Sequence, residues 1–460
     1  MFVSSAGGDV PDMIPAGPEA GSVLVAEQQW PRPGQAWPAL ILLMVGSFFS
    51  CMDRGIMSLL VEPIKSDLGL SDTQYGALQS FAFGSFYVLA AIPLGTLADR
   101  NQRRYVIAGG VLLFNIFAVM TGLARNYVQL FFARVGVGFG EASLAPAGFS
   151  LISDYFPPRK VGRALSLFSM SNTIGSAMAL IIGGVLLSAF THLHGADSSS
   201  LLGLKPWQAT IVAIALPGFL LVPCFLFLLH EPPRKGLAGA TPQMGFREAL
   251  HELGKRRKVL ILLIGGAAMV SIQVQGTGMW VPTLFIRAYG WQPSEVGPAV
   301  GGILILGGII GPFIGGWTTD WMTARGRPDG PVLVAAAGFV GVMIFGICAP
   351  LMPTATLALL ALFPAIVLGQ ITFGVIPAAL QAIVPNQLRA RISAIYMTAI
   401  SLVGLGIGPI LVGLMSDRMF GSQDGVRYSI MALAAITGPP MIVCMYLASR
   451  EYRKLRAVTG

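Results

Sequence analysis

Arg134 and Glu141 stand seven residues apart inside one apolar stretch, RVGVGFGEASLAPAGFSLISD (Arg134–Asp154). Seven residues make about two helical turns, so both side chains leave nearly the same helix face. A second apolar stretch carries Asp53 and Arg54 side by side. They diverge by about 100° around a helix, so one can face a cavity while the other meets a neighbouring helix. A charge inside a bilayer costs roughly 2.5 kcal/mol or more, and such residues face a partner or a wet cavity and mark a pathway. Two acids and two bases form a neutral set that tolerates burial when paired. Burial favours the neutral form of such a carboxylate, while a neighbouring Arg favours its charged form. When access switches across a membrane that balance changes, and a proton can be taken up or released. The chemistry within reach is proton exchange coupled to movement of a substrate; the plainer alternative is an interhelical clamp. It asks for no cofactor. His192 and His194 flank one residue, but nothing else offers metal ligands, so no metal is expected.

The elements that position these charges must cross a membrane. Hydrophobic residues make up 54% of the 460 and charged residues only 11%, against about 25% charged in a soluble domain. Mean hydropathy is +0.71. The 57 Gly suit spanning helices that pack through small residues. Cys51, Cys224, Cys348 and Cys444 all fall in apolar runs and read as core thiols, with no disulfide framework. A bilayer core takes about 20 apolar residues, and runs of that length predict spans near 37–61, 74–98, 105–124, 127–153, 161–190 and 206–230. A second set follows near 259–288, 294–322, 331–352, 355–381, 390–416 and 428–449. The expected fold is an all-α integral membrane protein, twelve transmembrane helices in two pseudo-symmetric six-helix halves. Its parts are a disordered cytoplasmic tail (1–36), the N-terminal half (37–230), a basic cytoplasmic linker (231–258), the C-terminal half (259–450) and a cytoplasmic tail (451–460).

Orientation follows from Lys and Arg. With the N-terminus inside, the outer loops hold only Lys65, Arg125, Lys205, Arg287, Arg418 and Arg427 of the 30 basic residues, and Arg54 and Arg134 lie within spans. The rest flank the inner side. This places both termini in the cytoplasm of a multi-pass protein of the inner (plasma) membrane. It also explains the net charge of +9 without a nucleic-acid partner.

The halves echo one another. GTLADRNQRR (Gly95–Arg104) follows the second span and GWTTDWMTARGR (Gly316–Arg327) the eighth, with Gly and Asp four apart in both. Pro157 precedes Arg163 by six residues, as Pro385 precedes Arg391. A parallel repeat implies a pseudo-two-fold axis along the membrane normal and a site between the halves. Gly307, Gly311 and Gly315, and again Gly404 and Gly408, form small-residue stripes for close packing. GVGFGE (Gly136–Glu141) is too loose for a nucleotide fingerprint and lies in a span, not after a strand.

GTLADRNQRR resembles the loop signature of the major facilitator superfamily, with Gln102 where the usual form has Gly. Arg134 with Gly138 resembles that superfamily's fourth-helix motif. MDR (Met52–Arg54), RVGVGFGEASLAP and ISDYFPPRKVGRALSLF are similar to the spinster branch of lipid transporters, and in part to organic-anion symporters that also carry Asp-Arg and Gly-Glu-Ala. The broad resemblance covers residues 37–450 and the narrow one the first half. It implies the major facilitator fold and alternating access. It also implies that Asp53 and Glu141 couple protons, with Arg54 and Arg134 as switching partners or anchors for an anionic headgroup.

Asp99 ends a span beside Arg100, Arg103 and Arg104. A carboxylate there can cap a neighbouring helix and pair with a base, giving an inner-face latch; Asp154 and Arg163 are expected in the same network, with Asp320 the matching acid of the second half. A polar turn that only sets topology is the alternative. The second half carries no charge near mid-membrane, and its polar candidates are Gln273, Gln275, Gln370, Thr372, Thr398 and Ser401, beside Trp280, Phe373 and Tyr396. Of these, Gln273, Gln370 and Thr372 are assigned to substrate binding or switching, although an interhelical hydrogen bond is the commoner use of such residues. A cavity charged on one wall and apolar on the other suits an amphipathic substrate. The expected function is proton-coupled transport of a lysolipid- or sphingolipid-like molecule by a monomer whose partners are substrate, protons and the bilayer. A proton-coupled symporter of small organic anions is the alternative, and a multi-span membrane enzyme a distant one; no triad or Walker motif supports catalysis.

Overall fold

The computed structural model describes residues 30–196, 203–234, 246–327, 329–421 and 424–459. Most of the expected N-terminal tail lies outside the described residues. Among the described residues, twelve helices are long and apolar enough to cross a bilayer. They run over Pro33–Leu59, Asp72–Arg100, Arg103–Gly122, Tyr127–Tyr155, Arg159–Leu193, Pro206–Phe227, Arg257–Tyr289, Pro293–Ala324, Gly330–Leu351, Ala355–Ala382, Arg391–Phe420 and Gly425–Leu455. They are called spans one to twelve below. An even number returns both ends to one side, the terminal face; the other side is the far face.

Local chemistry sets the span ends. Ser71 opens span two with a capping box to Gln74, and Asn126 accepts the Gln129 N–H at 2.9 Å to open span four. Pro33, Pro206 and Pro293 stand in first turns, where no N–H is needed. Gly290 (φ 68°) ends span seven in the left-handed conformation that favours glycine. Two boundaries differ from expectation. The twelfth helix continues to Thr459, so most of the segment read as a C-terminal tail is helical. The linker region holds a helix at Phe246–Lys255, whose Ala249 is buried against span seven.

Helix pairing repeats with an offset of six. Span one packs on five as seven packs on eleven, three on four as nine on ten, and two on four as eight on ten. The halves meet where span two lies on eleven and span five on eight, the pairing a pseudo-two-fold requires. The expected glycine stripes serve packing inside the second half. Gly307 and Gly311 meet span ten, and Gly408 meets the backbone of Ile272 and Gly276 in span seven.

Core distribution gives the conformation. At the far face one core is shared, with Met52, Tyr75 and Leu180 packed among Trp280, Leu284, Val300 and Val412. Toward the terminal face there are two. Leu43, Ile107, Leu151 and Phe225 build one within the first half, and Leu263, Phe339, Ile376 and Met445 build the other within the second. The halves are joined at the far face and part toward the terminal face.

Spans two and four depart from regularity beside the buried charges. Span two is a π-helix over Leu78–Ser85, a form concentrated at functional sites. Span four breaks after Glu141 and resumes at Leu144. Pro146 lacks the N–H that would reach the Ala142 carbonyl, and nearby the Ser143 hydroxyl donates to the Gly140 carbonyl at 2.9 Å.

Candidate functional site

Spans one and four bring the four expected charges together as two pairs. Arg134 donates to Asp53 through Nη1–Oδ2 at 2.6 Å and to Gln79 Oε1 through Nη2 at 3.2 Å. Arg134 is fully buried and Asp53 nearly so. Arg54 Nε lies 3.3 Å from Glu141 Oε2, without the alignment of a hydrogen bond. Its Nη2 also donates to Cys51 Sγ at 2.9 Å. The roughly 100° divergence of Asp53 and Arg54 gives each a separate partner. On span four, side chains seven residues apart share a face and meet the two in turn.

The pairs are unequal. The Asp53–Arg134 pair is short, aligned and reinforced by an amide, so breaking it leaves an uncompensated buried charge. The Arg54–Glu141 pair is looser, and Arg54 alone of the four has a substantially exposed side chain, at 29% against 0% for Glu141. Phe83 lies under both cations, 5.1 Å from the Arg134 guanidinium and 5.7 Å from that of Arg54, with Tyr87 at 5.8 Å. Aromatic faces offset part of the cost of holding cations out of water. Asn172 of span five accepts from Ser47 and from Cys51 Sγ (3.3 Å), tying span one to its neighbour. Gln79, Phe83, Tyr87 and Asn172 are not singled out by sequence reasoning, because lone amides and aromatics are common in spans.

The terminal face differs from the expected latch. Arg103 is buried and donates through Nη1 to Asp154 Oδ2 (2.5 Å) and Ser150 (2.8 Å), and through Nε to Glu231 (2.7 Å). Arg234 donates to the Ala98 and Asn101 carbonyls at the end of span two. Arg104 is drawn to Gln102 and Tyr105. Asp99, Arg100, Arg163 and Asp320 are exposed and form no ion pair among the described residues. An Asp99 latch is therefore not formed in this conformation, since the halves stand apart here and Arg103 is turned inward. Glu231, where the linker begins, takes the place given to Asp99.

In the second half, Gln273 is buried between spans seven, nine and twelve, donating to the Val342 carbonyl (2.9 Å) and accepting from Thr437 (3.2 Å). Thr372 is buried against span nine and donates back to Gly369 at 2.6 Å. In this conformation both are buried and hydrogen-bonded within the second half. Gln370 is half-buried beside Gly311 at the span-eight contact. The indole of Trp280 donates to the Pro409 carbonyl at 2.9 Å.

The far face holds a polar seal between the halves that sequence reasoning missed. Arg287 grips both Asp72 oxygens at 2.8 Å each and Glu62 at 2.8 Å. Lys65 also pairs with Asp72, and Ser416 donates to it at 2.6 Å. Asp417 accepts the N–H groups of Asp72 (3.2 Å) and Thr73 (2.7 Å) and the Thr73 hydroxyl (2.6 Å). Span eleven thus caps the N-terminus of span two across the halves. Among the described residues, every hydrogen bond and ion pair joining the two six-helix halves lies on the far-face side of the molecule.

Residues 43–409 match the model of the Major Facilitator Superfamily. The chain is 27% identical to a protein of Mycolicibacterium smegmatis named MFS-type efflux pump, over 92% of this chain and 94% of that one. It is 25% identical to a protein of Escherichia coli named "Probable L-galactonate transporter", covering 89% and 88%. It is 26% identical to "Sphingosine-1-phosphate transporter SPNS2" of Danio rerio, covering 90% and 85%. Among solved structures, a bacterial homolog of the human lysosomal transporter spinster, inward-facing and unoccupied, superposes with a TM-score of 0.80 at 26% identity, covering 92% of this chain and 99% of that one. The expected likeness to spinster proteins is met over nine tenths of the chain. With paired helices repeated in two halves and a family match across most of its length, the chain belongs to the Major Facilitator Superfamily and is a multi-pass membrane transporter.

Proposed function

We propose that the protein is a proton-coupled secondary transporter that moves an amphipathic, lysolipid- or sphingolipid-like molecule by alternating access, as a monomer and without chemical conversion. The terminal face is cytoplasmic, on the bias of Lys and Arg toward it, and the membrane is the plasma membrane. The observation that carries this reading is the inequality of the two charge pairs. Asp53–Arg134 is tight and closed, whereas Arg54–Glu141 is loose, with Arg54 partly exposed. A substrate anion that takes up Arg54 leaves Glu141 uncompensated, and a proton neutralises it. Substrate anion and Glu141 thereby contend for one arginine, and taking up the substrate favours taking up a proton. Release of the proton re-forms the pair and returns the carrier. Asp53 serves as the second proton site, and Arg134 as its switching partner. The terminal-face network of Arg103, Asp154 and Glu231 holds the first half rigid as it rocks. Asp99, Arg100, Arg104, Arg163 and Asp320 stand ready to latch the halves when the terminal face closes.

The amphipathic reading rests on asymmetry. All four deep charges lie in the first half, and the second half offers an apolar wall with Gln370 at its edge. Burying an acyl chain from water yields roughly 0.8 kcal/mol per CH₂, much less from a bilayer, so selectivity falls to the headgroup. A small organic anion is the second reading, favoured by the partly exposed Arg54 and by the sugar-acid relative. A competition series in proteoliposomes, varying tail and headgroup separately, decides between them. Affinity is expected to depend weakly on tail length and strongly on headgroup charge, and to fall more with Arg54→Ala than with a polar swap at Gln370. A small sugar acid that competes as well as any lysolipid refutes the amphipathic reading.

A further inference from the structure

The π-helical turn of span two lies between the buried charges and the other half. On one side Gln79 accepts from Arg134 at 3.2 Å, Phe83 lies under both arginines, and Gly138 of span four packs on the Phe83 backbone. A methyl at Gly138 would lie 2.6 Å from the Phe83 carbonyl oxygen. On the other side Gly76, Ser80 and Gly84, each four residues on, face span eleven. A methyl at Gly76 would lie 2.7 Å from the Pro409 carbonyl, and one at Gly84 would lie 3.1 Å from Leu405 Cβ. This is the small-residue spacing that lets two backbones approach closely.

The contact carries one directed bond. The Ile410 N–H donates to Ser80 Oγ at 3.2 Å, across 330 residues of sequence. Pro409, just before it, has no N–H, and its carbonyl is taken by the Trp280 indole at 2.9 Å. Span eleven is therefore held at its proline from both sides, by span seven of its own half and by Ser80 of the other. Ser80 is fully buried. Gln79 and Ser80 are neighbours, so one residue reads the arginine while the next holds the opposite half. Two turns away, in the same span, lies Asp72 of the far-face seal.

We propose that Gln79 and Ser80 are positioning residues that pass the state of the Asp53–Arg134 pair to the seal between the halves. When Arg134 is gripped by Asp53, Gln79 fixes the π-turn in the register that puts Ser80 under Ile410. When that grip is released, Arg134 draws Gln79 with it, the register slips, and the bond to span eleven is lost. A π-turn suits this role because its extra residue can be absorbed or expelled without unwinding the helix. The proposal rests on the reading that the Asp53–Arg134 pair changes during transport.

The test is a double-mutant cycle on the far-face opening of the full-length protein in nanodiscs, read from the distance between spin labels at Arg125 and Pro353, both exposed. Asp53→Asn is expected to shift the open-to-closed ratio at least about fivefold in the parent, and less than about twofold when combined with Gln79→Met or with Ser80→Ala. A merely structural role would move both members of each comparison alike and leave the Asp53 effect intact. An equal Asp53→Asn shift with and without the Gln79 amide and the Ser80 hydroxyl overturns the link while leaving the transport reading in place. No shift in the parent overturns both, because there is then no signal to pass. Two variants on separate residues keep the test decisive where one fails to fold.

Discussion

Proteoliposomes carrying Glu141→Gln are expected to lose proton-driven transport by about a hundredfold while the protein stays folded and exchange without a gradient continues. Gln keeps the size of the side chain and removes the charge that Arg54 and a proton contend for. Arg54 is left without its acid, but it is 29% exposed and rests near Phe83 and Tyr87, so the cost in stability is small. Asp53→Asn is expected to lose coupling to the same degree and to be less stable. It leaves Arg134 fully buried, and breaking such a pair costs about 3–5 kcal/mol, offset in part by Gln79 and Phe83. Gradient-driven uptake, exchange and melting temperature measured on both variants separate these effects. Coupled uptake that survives in both contradicts the assignment.

Arg287→Ala is expected to move the carrier toward states open at the far face. Arg287 joins span seven to Asp72 of span two by two 2.8 Å bonds and to Glu62 by another. Each hydrogen bond to a charged group contributes about 1.5–3 kcal/mol. Lys65 and Ser416 remain on Asp72, and the site is only partly buried. A net loss of about 2 kcal/mol, or roughly thirtyfold in the ratio of states, is therefore expected. Accessibility of a cysteine placed at Tyr75, which is fully buried beside Trp280 at the far face, reports it. The variant should be modified much faster than the parent; equal rates would show that apolar packing alone holds the seal.

What the sequence discloses here depends on how costly each feature is. Twelve spans are legible because about 20 apolar residues are needed to cross a bilayer and little else has that length. Asp53, Arg54, Arg134 and Glu141 are legible because a charge in that setting needs a reason, and the structure pairs them as helix geometry allows. Gln79, Phe83 and Asn172 are not, since amides and aromatics enter spans cheaply. The π-turn has no signature in residues 78–85, and the break after Glu141 is not expected from a span read as continuous over 127–153. Gln273 and Thr372 show why polar residues in spans are hard to read, since here Gln273 bonds spans nine and twelve and Thr372 bonds its own helix. The far-face seal joins Asp72, Arg287 and Asp417 over separations of 215 and 344–345 residues. Nothing local marks such partners beyond their place at span ends on one side. Asp99 reads as a latch from its sequence neighbours, yet the burial of Arg103 with Asp154 and Glu231 decides which of them are engaged.

In the proposed cycle the buried charges sense protons, and their state sets which face is open. This is tested most directly by measuring the distance between spin labels at Lys160 and Arg325, exposed on the terminal sides of spans five and eight, at acid and at neutral pH in nanodiscs. The distance distribution of the parent is expected to change with pH, and that of the Asp53→Asn, Glu141→Gln double variant is expected to stay fixed. A double variant that responds to pH as the parent does would contradict it.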